Sequence, residues 1–496
     1  MDWDVYNREV DQYGKEAGIP TDPIMFITML KKMLTDVSTE VDACFPENTY
    51  AEIKDGRLIL RKTPRLIEAE GLQHLKNEIK KRIPEISIVD ILVESEQWLN
   101  LHRGFGPLSG NLRRMDSPAA RFITTLFCYG CNLGPSQTAR SVKEFNRKQV
   151  AWLNLKQVNE ERLDNAIVKV INAYNKFELP SYWGSGKHAS ADGTQWDTYE
   201  QNLIAENHIR YGGYGGIGYY HVSDKYIALY SRFIPCGVYE GNYILDGLLN
   251  NTSDIQPDTV HGDTQAQSYP VFGLAYLLGI NLMPRIRNLK DLVFYRPDKR
   301  TTYKHIDALF SDTINWNLIQ THLPDMLRVV ISIKLGKITA STILRRLGTS
   351  SRKNKLYFAF RELGKVVRTA FLLNYIGDVE LRQTIQAATN KSEEFNGFAK
   401  WIFFGGEGII AENIRHEQRK IIKYNHLVTN MVILHNVERM TRVLKQLQNE
   451  GYEITPEMLA GLGPYYNGHI NRLGEDYTLD LDKIVTPLDY SLKILL

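Results

Sequence analysis

The sequence predicts a mixed α/β chain, with helices around one small sheet, and three stretches predict it. In the first, a connection punctuated by Pro180, Gly184 and Gly186 leads into His188-Ala189-Ser190-Ala191-Asp192-Gly193-Thr194-Gln195-Trp196-Asp197. Beyond a Tyr/Gly-rich loop, two runs of period two follow at 217–223 and 226–235. Asp192 is therefore expected to end or leave the first strand of a meander, where its carboxylate faces a cleft while the sheet holds the backbone still. The alternative at this point is an Asp-Gly hairpin turn. In the second stretch, seventy-one positions on, Thr259-Val260-His261-Gly262-Asp263-Thr264-Gln265 is a short β-rich run ending in an acid, with helical patterns at 238–250 before it and 269–278 after it. In the third, a further 130 positions on, Asn390-Lys391-Ser392-Glu393 opens a helix.

Three antiparallel strands, a helix, a fourth strand, a helix, a fifth strand at 281–287 and a later acid-bearing helix are the element order of the RNase H-like phosphoryl-transfer fold. Asp192, Asp263 and Glu393 would then supply three hard oxygen ligands. Such a set suits a pair of Mg²⁺ ions, which are bound by few carboxylates and complete their shells with water and substrate phosphate. Two such ions activate the attacking oxygen and stabilise the leaving one in an in-line displacement.

At these residues the sequence resembles a known family. The runs Ser190-Ala191-Asp192-Gly193, His261-Gly262-Asp263-Thr264-Gln265, Asn390-Lys391-Ser392-Glu393 and Trp401-Ile402-Phe403-Phe404-Gly405 are similar, in order and separation, to the catalytic blocks of the Tn-three family of bacterial replicative transposases. Upstream, Tyr129-Gly130-Cys131-Asn132-Leu133-Gly134-Pro135 resembles that family's helical block, so the resemblance covers roughly residues 85 to 480. It implies that Asp192, Asp263 and Glu393 form an Asp-Asp-Glu triad served by two Mg²⁺ ions, with Mn²⁺ as a substitute. It also implies hydrolysis of one strand at each transposon end and attack of the freed 3′-hydroxyl on target DNA. The implied partners are double-stranded DNA and a second copy of the chain, and the implied location is the bacterial cytoplasm, at the nucleoid. Members of the family are considerably longer at the front, where the domains that recognise transposon ends lie, so this chain is expected to be the rear half. Two other readings stay open: a truncated, non-catalytic fragment that binds DNA or a transposase, and a general RNase H-like nuclease.

Composition narrows the class further. With 43% apolar and 24% charged residues among 496, the chain is neither disordered nor fibrous and is long enough for two or three cores. No apolar run approaches the roughly 20 residues that span a bilayer, and Met1-Asp2-Trp3-Asp4 lacks the basic start of a signal peptide. The four cysteines imply no disulfide framework; Cys128 and Cys131 sit in an apolar helical stretch with no second pair at zinc spacing. The net charge of +3 conceals an asymmetry, because residues 285–391 hold twenty Lys/Arg against eight Asp/Glu. Such a segment points to a polyanion partner, although solvated helix faces also hold charge.

In order along the chain, residues 1–95 read as a small α/β scaffolding domain, with helices at 24–44 and 66–82 and an Asp55-Gly56 hairpin between them. Residues 96–187 read as a helical domain with Arg103, Arg113, Arg114, Arg121 and Arg140 as candidate phosphate contacts, broken at Asn132-Leu133-Gly134-Pro135. Residues 188–288 are the first part of the RNase H-like core and hold both Asp. Gly213-Tyr214-Gly215-Gly216-Ile217-Gly218 spells a dinucleotide fingerprint, but a strand follows where a helix is needed. His261 is a candidate for orienting a phosphate, or a structural strand histidine.

The segment 289–385 is a basic helical insertion. Arg285 and Arg287 are candidates for contacts to the strand near the cut, and Arg345, Arg346, Arg352 and Lys353 for gripping phosphates, which positions DNA without reading it. In 386–496, the Glu393 helix places Phe395, Phe398, Ala399 and Ile402 on one face and Glu393, Gly397 and Lys400 on another. The alternative role for Glu393 is the third position of a capping box begun by Asn390. A long amphipathic helix to about residue 447 should buttress the sheet.

Overall fold

The period-two runs form the expected meander: Tyr214–Ser223 lies between His188–Asp197 and Ala228–Pro235 and is antiparallel to both. The computed structural model describes residues 1–64, 67–110, 115–199, 206–207, 213–287, 292–349, 354–474 and 476–492. They divide into two units, one of Met1–Leu66, Tyr239–Asn250 and Asp258–Asn390, the other of Ile67–Val238, Asn251–Pro257 and Lys391–Leu496.

The second unit is built around the meander and the 35-residue helix Arg415–Asn449. This helix is apolar on more than one face, so almost all of it from Gln418 to Leu447 is buried. Its polar residues are consumed inside the unit. His426 is fully buried, with one ring nitrogen 2.9 Å from Ser231 Oγ and the other 2.9 Å from the Ala228 carbonyl, and Asn430 donates to that same carbonyl. Burial pushes the His426 imidazole down to about 3, so it is neutral and works as a structural link between helix and strand. Around this axis pack Ile88–Leu99, Pro118–Gly130 and Glu160–Asn175, whose starts follow from Ser87, Pro118 and Asn159.

In the first unit, the strands Thr259–Gly262 and Asn281–Pro284 pair in parallel, joined by the helix Tyr269–Leu277. That helix crosses Lys355–Gly377 so closely that a Cβ on Gly364 would lie 1.8 Å from the Tyr269 carbonyl oxygen, and one on Gly273 would lie 2.4 Å from that of Phe360. Only glycine fits at either position. The Asp55-Gly56 hairpin forms as expected, both residues having positive φ.

Several elements differ from the sequence expectation. The insertion is not wholly helical, since Phe294–Arg296 and Phe310–Thr313 are parallel strands. The helix expected at 66–82 starts at Leu72, after Gly71 at φ 78°. That at 238–250 shrinks to the short turns Glu240–Tyr243 and Asp246–Leu249. The Glu393 helix does not open at Asn390: it runs from Val379 to Ile402, with Asp378 accepting from the Leu381 amide. Glu393 is therefore in mid-helix, which removes the capping-box reading. The dinucleotide-like glycines from Tyr214 to Gly218 lie in a strand.

Candidate active site

Asp192 does not end its strand. It stands in the middle of His188–Asp197, opposite Tyr220, and the next residue, Gly193, continues the ladder opposite Tyr219, so neither a strand end nor a hairpin turn describes it. Strand alternation puts Ala189 and Ala191 on one face, 0% and 1% exposed, and Ser190 and Asp192 on the other. Ser190 and Asp192 meet the Glu393 helix. The Ser190 hydroxyl lies 3.1 Å from that of Ser392, and the Asn396 amide nitrogen donates to Asp192 Oδ2 at 2.9 Å.

The helix presents the faces the sequence predicts. Phe395, Phe398, Ala399 and Ile402 are buried, while Glu393, Gly397 and Lys400 are exposed. A Cβ on Gly397 would meet no atom within 4 Å, so space lies open one turn beyond Glu393. Glu394 has a different environment. It lines a cavity of about 840 Å³ with Lys80, Tyr465 and His469, and burial pushes its carboxyl above the ordinary range against the pull of Lys391 and Lys76.

Two motif residues act structurally in ways the sequence reading missed. Lys391 donates to the carbonyls of Trp183 and Asp224 at 2.8 and 2.6 Å and sits over the Tyr226 ring. The block around Asn132 docks on the loop that follows the Glu393 helix. Asn132, at φ 61°, donates to the carbonyls of Gly405 and Ile409, both at 2.9 Å, and the Gly405 amide returns a bond to the Cys131 carbonyl. Two of the sequence blocks thus form one clamp. Cys128 and Cys131 are buried free thiols, and burial pushes the Cys128 thiol up to about 12, which suits packing and not redox chemistry.

Asp263 belongs to the other unit. It directly follows the strand Thr259–Gly262 and caps the next turn, its Oδ1 accepting from the Gln265 amide at 2.9 Å. His261 is fully buried, with Nδ1 3.2 Å from the Met283 carbonyl on the neighbouring strand, a structural role. Arg285 extends the parallel pairing through its amide to the Gly262 carbonyl at 2.8 Å, and Arg287 is exposed. Arg345 and Arg346 are exposed on the helix Ala340–Thr349, whose start is held by the buried Asp246 accepting from the Ser341 amide at 3.0 Å. Arg352 and Lys353, like Arg113 and Arg114, lie outside the described residues.

Asp192 and Asp263 are half-exposed and Glu393 is exposed, and each carries carboxylate oxygens of the hard kind that divalent cations take. Among the described residues, no group of three or more His, Cys, Asp or Glu is gathered for a metal ion. No described helix is long and apolar enough to cross a membrane.

A strand-borne Asp beside a Glu-bearing helix, with a second Asp leaving a parallel strand, is the setting in which comparison with known proteins becomes informative. The family model of the Tn3 transposase DDE domain matches residues 90–476, and the chain belongs to that family. Among its relatives, the transposase for transposon Tn1546 of Enterococcus faecium is 30% identical over 436 residues, covering 88% of this chain and 44% of that protein. The transposase for transposon Tn21 of Escherichia coli is 31% identical over 407 residues, 81% of this chain and 41% of the relative. The transposase for transposon gamma-delta of Escherichia coli K12 is 30% identical over 474 residues, 94% and 47%. The chain thus spans less than half the length of these relatives.

Proposed function

We propose that the chain is the catalytic part of a DNA transposase with an RNase H-like core. In this reading it cleaves one strand at each transposon end and transfers the 3′-hydroxyl into target DNA, by replicative transposition. The observation that carries the reading is the hydrogen bond from Asn396 to Asp192, which ties the strand bearing one acid to the helix bearing another. Membership of the Tn3 transposase DDE family supports it. Asp192, Asp263 and Glu393 are the proposed metal-holding acids, with Mg²⁺ as the ion and Mn²⁺ as its substitute. When bound, the ions supply Lewis acidity to the attacking and leaving oxygens.

The chain's own contribution is positioning. Asp192 is immobilised by the sheet on its backbone and by Asn396 on its side chain, and a carboxylate held still loses less entropy when it engages an ion. Arg285, Arg287, Arg345, Arg346, Arg352 and Lys353 are proposed to hold phosphates of the end and target DNA. The proposal includes a homodimer acting in the cytoplasm at the nucleoid.

Metal-dependent joining of a labelled 3′-end to plasmid DNA tests this reading. Joined product in Mg²⁺, lost in Asp192→Asn, is the expected result. Hydrolysis without joining would support the nuclease reading, and binding with neither reaction would support a non-catalytic fragment.

A further inference from the structure

We infer that Asn396 is a positioning residue for Asp192, and that the paired contacts Ser190–Ser392 and Asp192–Asn396 set the rotation of the helix that carries Glu393. This inference rests on reading Asp192 and Glu393 as metal-holding acids.

The geometry comes from two periods. Ser190 and Asp192 are two residues apart on a strand, so they share a face and are separated by about 6.6 Å along it. Ser392 and Asn396 are four residues apart on a helix, so they share a face and are separated by about 6 Å. The two spacings match, and both pairs count upward together, so the helix runs alongside the strand in the same direction. A single contact would let the helix turn about one point. Two contacts, one helical turn apart, fix its rotation and its translation together. Glu393 is about 100° from Ser392 and about 60° from Asn396 around the axis, so fixing those two residues fixes its direction as well.

The chemistry of the pair is equally specific. An ionised carboxylate only accepts, so the group facing Asp192 must be the amide nitrogen, which settles how the Asn396 side chain is turned. Asn396 is 6% exposed, and its Oδ1 is buried with no hydrogen-bond partner. A buried acceptor without a partner is destabilising. Stability alone would favour an isosteric leucine here, so the amide is explained by the carboxylate it orients. Residues that fix a metal-holding side chain through a hydrogen bond typically contribute 10–100-fold in metal affinity.

The test uses the full 496-residue chain with duplex DNA and Mn²⁺ as the probe. Free Mn²⁺ is followed by electron paramagnetic resonance for wild type, Asn396→Leu, Asn396→Ala and Asp192→Asn. The expected result is that both Asn396 variants bind Mn²⁺ about tenfold more weakly. In metal-dependent strand cleavage, kcat should fall while KM for DNA holds, and Asn396→Leu should melt no lower than wild type. Wild-type Mn²⁺ affinity and kcat in Asn396→Leu would overturn the inference; if that variant does not fold, the same result in Asn396→Ala overturns it. Loss of Mn²⁺ binding in Asp192→Asn alone would leave the metal reading standing and sink only the role of Asn396. Retention in Asp192→Asn would sink the metal reading itself.

Discussion

Glu393 and Glu394 are adjacent on one helix and project about 100° apart, and their surroundings separate them. Glu393 precedes the open space at Gly397 and lies three residues before Asn396, which holds Asp192. Glu394 looks into a cavity shared with Lys80 and Tyr465. Glu393→Gln should abolish end cleavage in Mg²⁺ while the melting temperature and DNA binding stay put, and Glu394→Gln should keep substantial activity. The opposite pattern in a cleavage assay would move the catalytic face by one residue. The apolar stripe of this helix was legible because 3.6-residue periodicity leaves a trace in the sequence. Asn396 was not legible: between Phe395 and Gly397 it belongs to no motif, and its partner Asp192 is remote in the chain. Asp192 read as a strand end because a Tyr/Gly-rich loop and two period-two runs follow it, with an Asp192-Gly193 hairpin turn as the alternative. Here Gly193 instead faces the bulky Tyr219 within the ladder.

At the scale of elements, the Glu393 helix is held at both of its ends. Its start was misplaced because Asn-Lys-Ser-Glu has the composition of a capping box, whereas the residue that caps is Asp378. At its C-terminal end, a Cβ on Gly405 would lie 2.5 Å from the backbone C and O of Asn132, neither of which has a side chain's freedom to move aside. Gly405→Ala should therefore destabilise the fold by about 1–3 kcal/mol, read as a lower denaturant midpoint. The long buttressing helix offers a pH test. Burial alone would push the Glu94 carboxyl up, but His435 at 3.0 Å, Lys483 at 2.8 Å and Arg439 at 2.5 Å hold it down at about 2. Because its folded pKa is depressed, the stability it contributes is present above the unfolded value near 4.3 and is lost as the pH falls toward 2. Over that window the loss should amount to about 3 kcal/mol. Glu94→Gln should lose stability at pH 7 and show a flatter acid limb in denaturant titrations. An equally steep limb would show that the carboxylate is not the titrating group.

For the whole molecule, charge was legible as a sum and not as a surface. Of the cations in residues 285–391, Arg296 is spent on Asp307, Lys365 on Glu362, Arg368 on the Tyr269 ring and Lys391 on two carbonyls, and Arg382 is 4% exposed. Arg345 and Arg346 are exposed on the helix Ala340–Thr349. If these and their neighbours grip phosphate, replacing Arg345, Arg346, Arg352 and Lys353 together with Ala should flatten the log–log salt dependence of DNA binding by up to about 0.9 per contact. An unchanged slope would mean the charges are merely solvated. The meander and the parallel strands at 259–262 and 281–284 were readable from periodicity, whereas the short strands Phe294–Arg296 and Phe310–Thr313 were not. Whether acids 71 and 130 positions apart along the chain serve one metal centre was not readable, because sequence distance says nothing of spatial distance. Iron-directed backbone cleavage addresses that point most directly. With Fe²⁺ in place of Mg²⁺ on the DNA-bound chain, ascorbate and peroxide generate radicals that cut the polypeptide next to the ion. Cuts are expected to cluster near Asp192, Asp263 and Glu393, all three suppressed together by excess Mg²⁺. Cuts near only one of these residues, or cuts elsewhere, would contradict one shared metal centre.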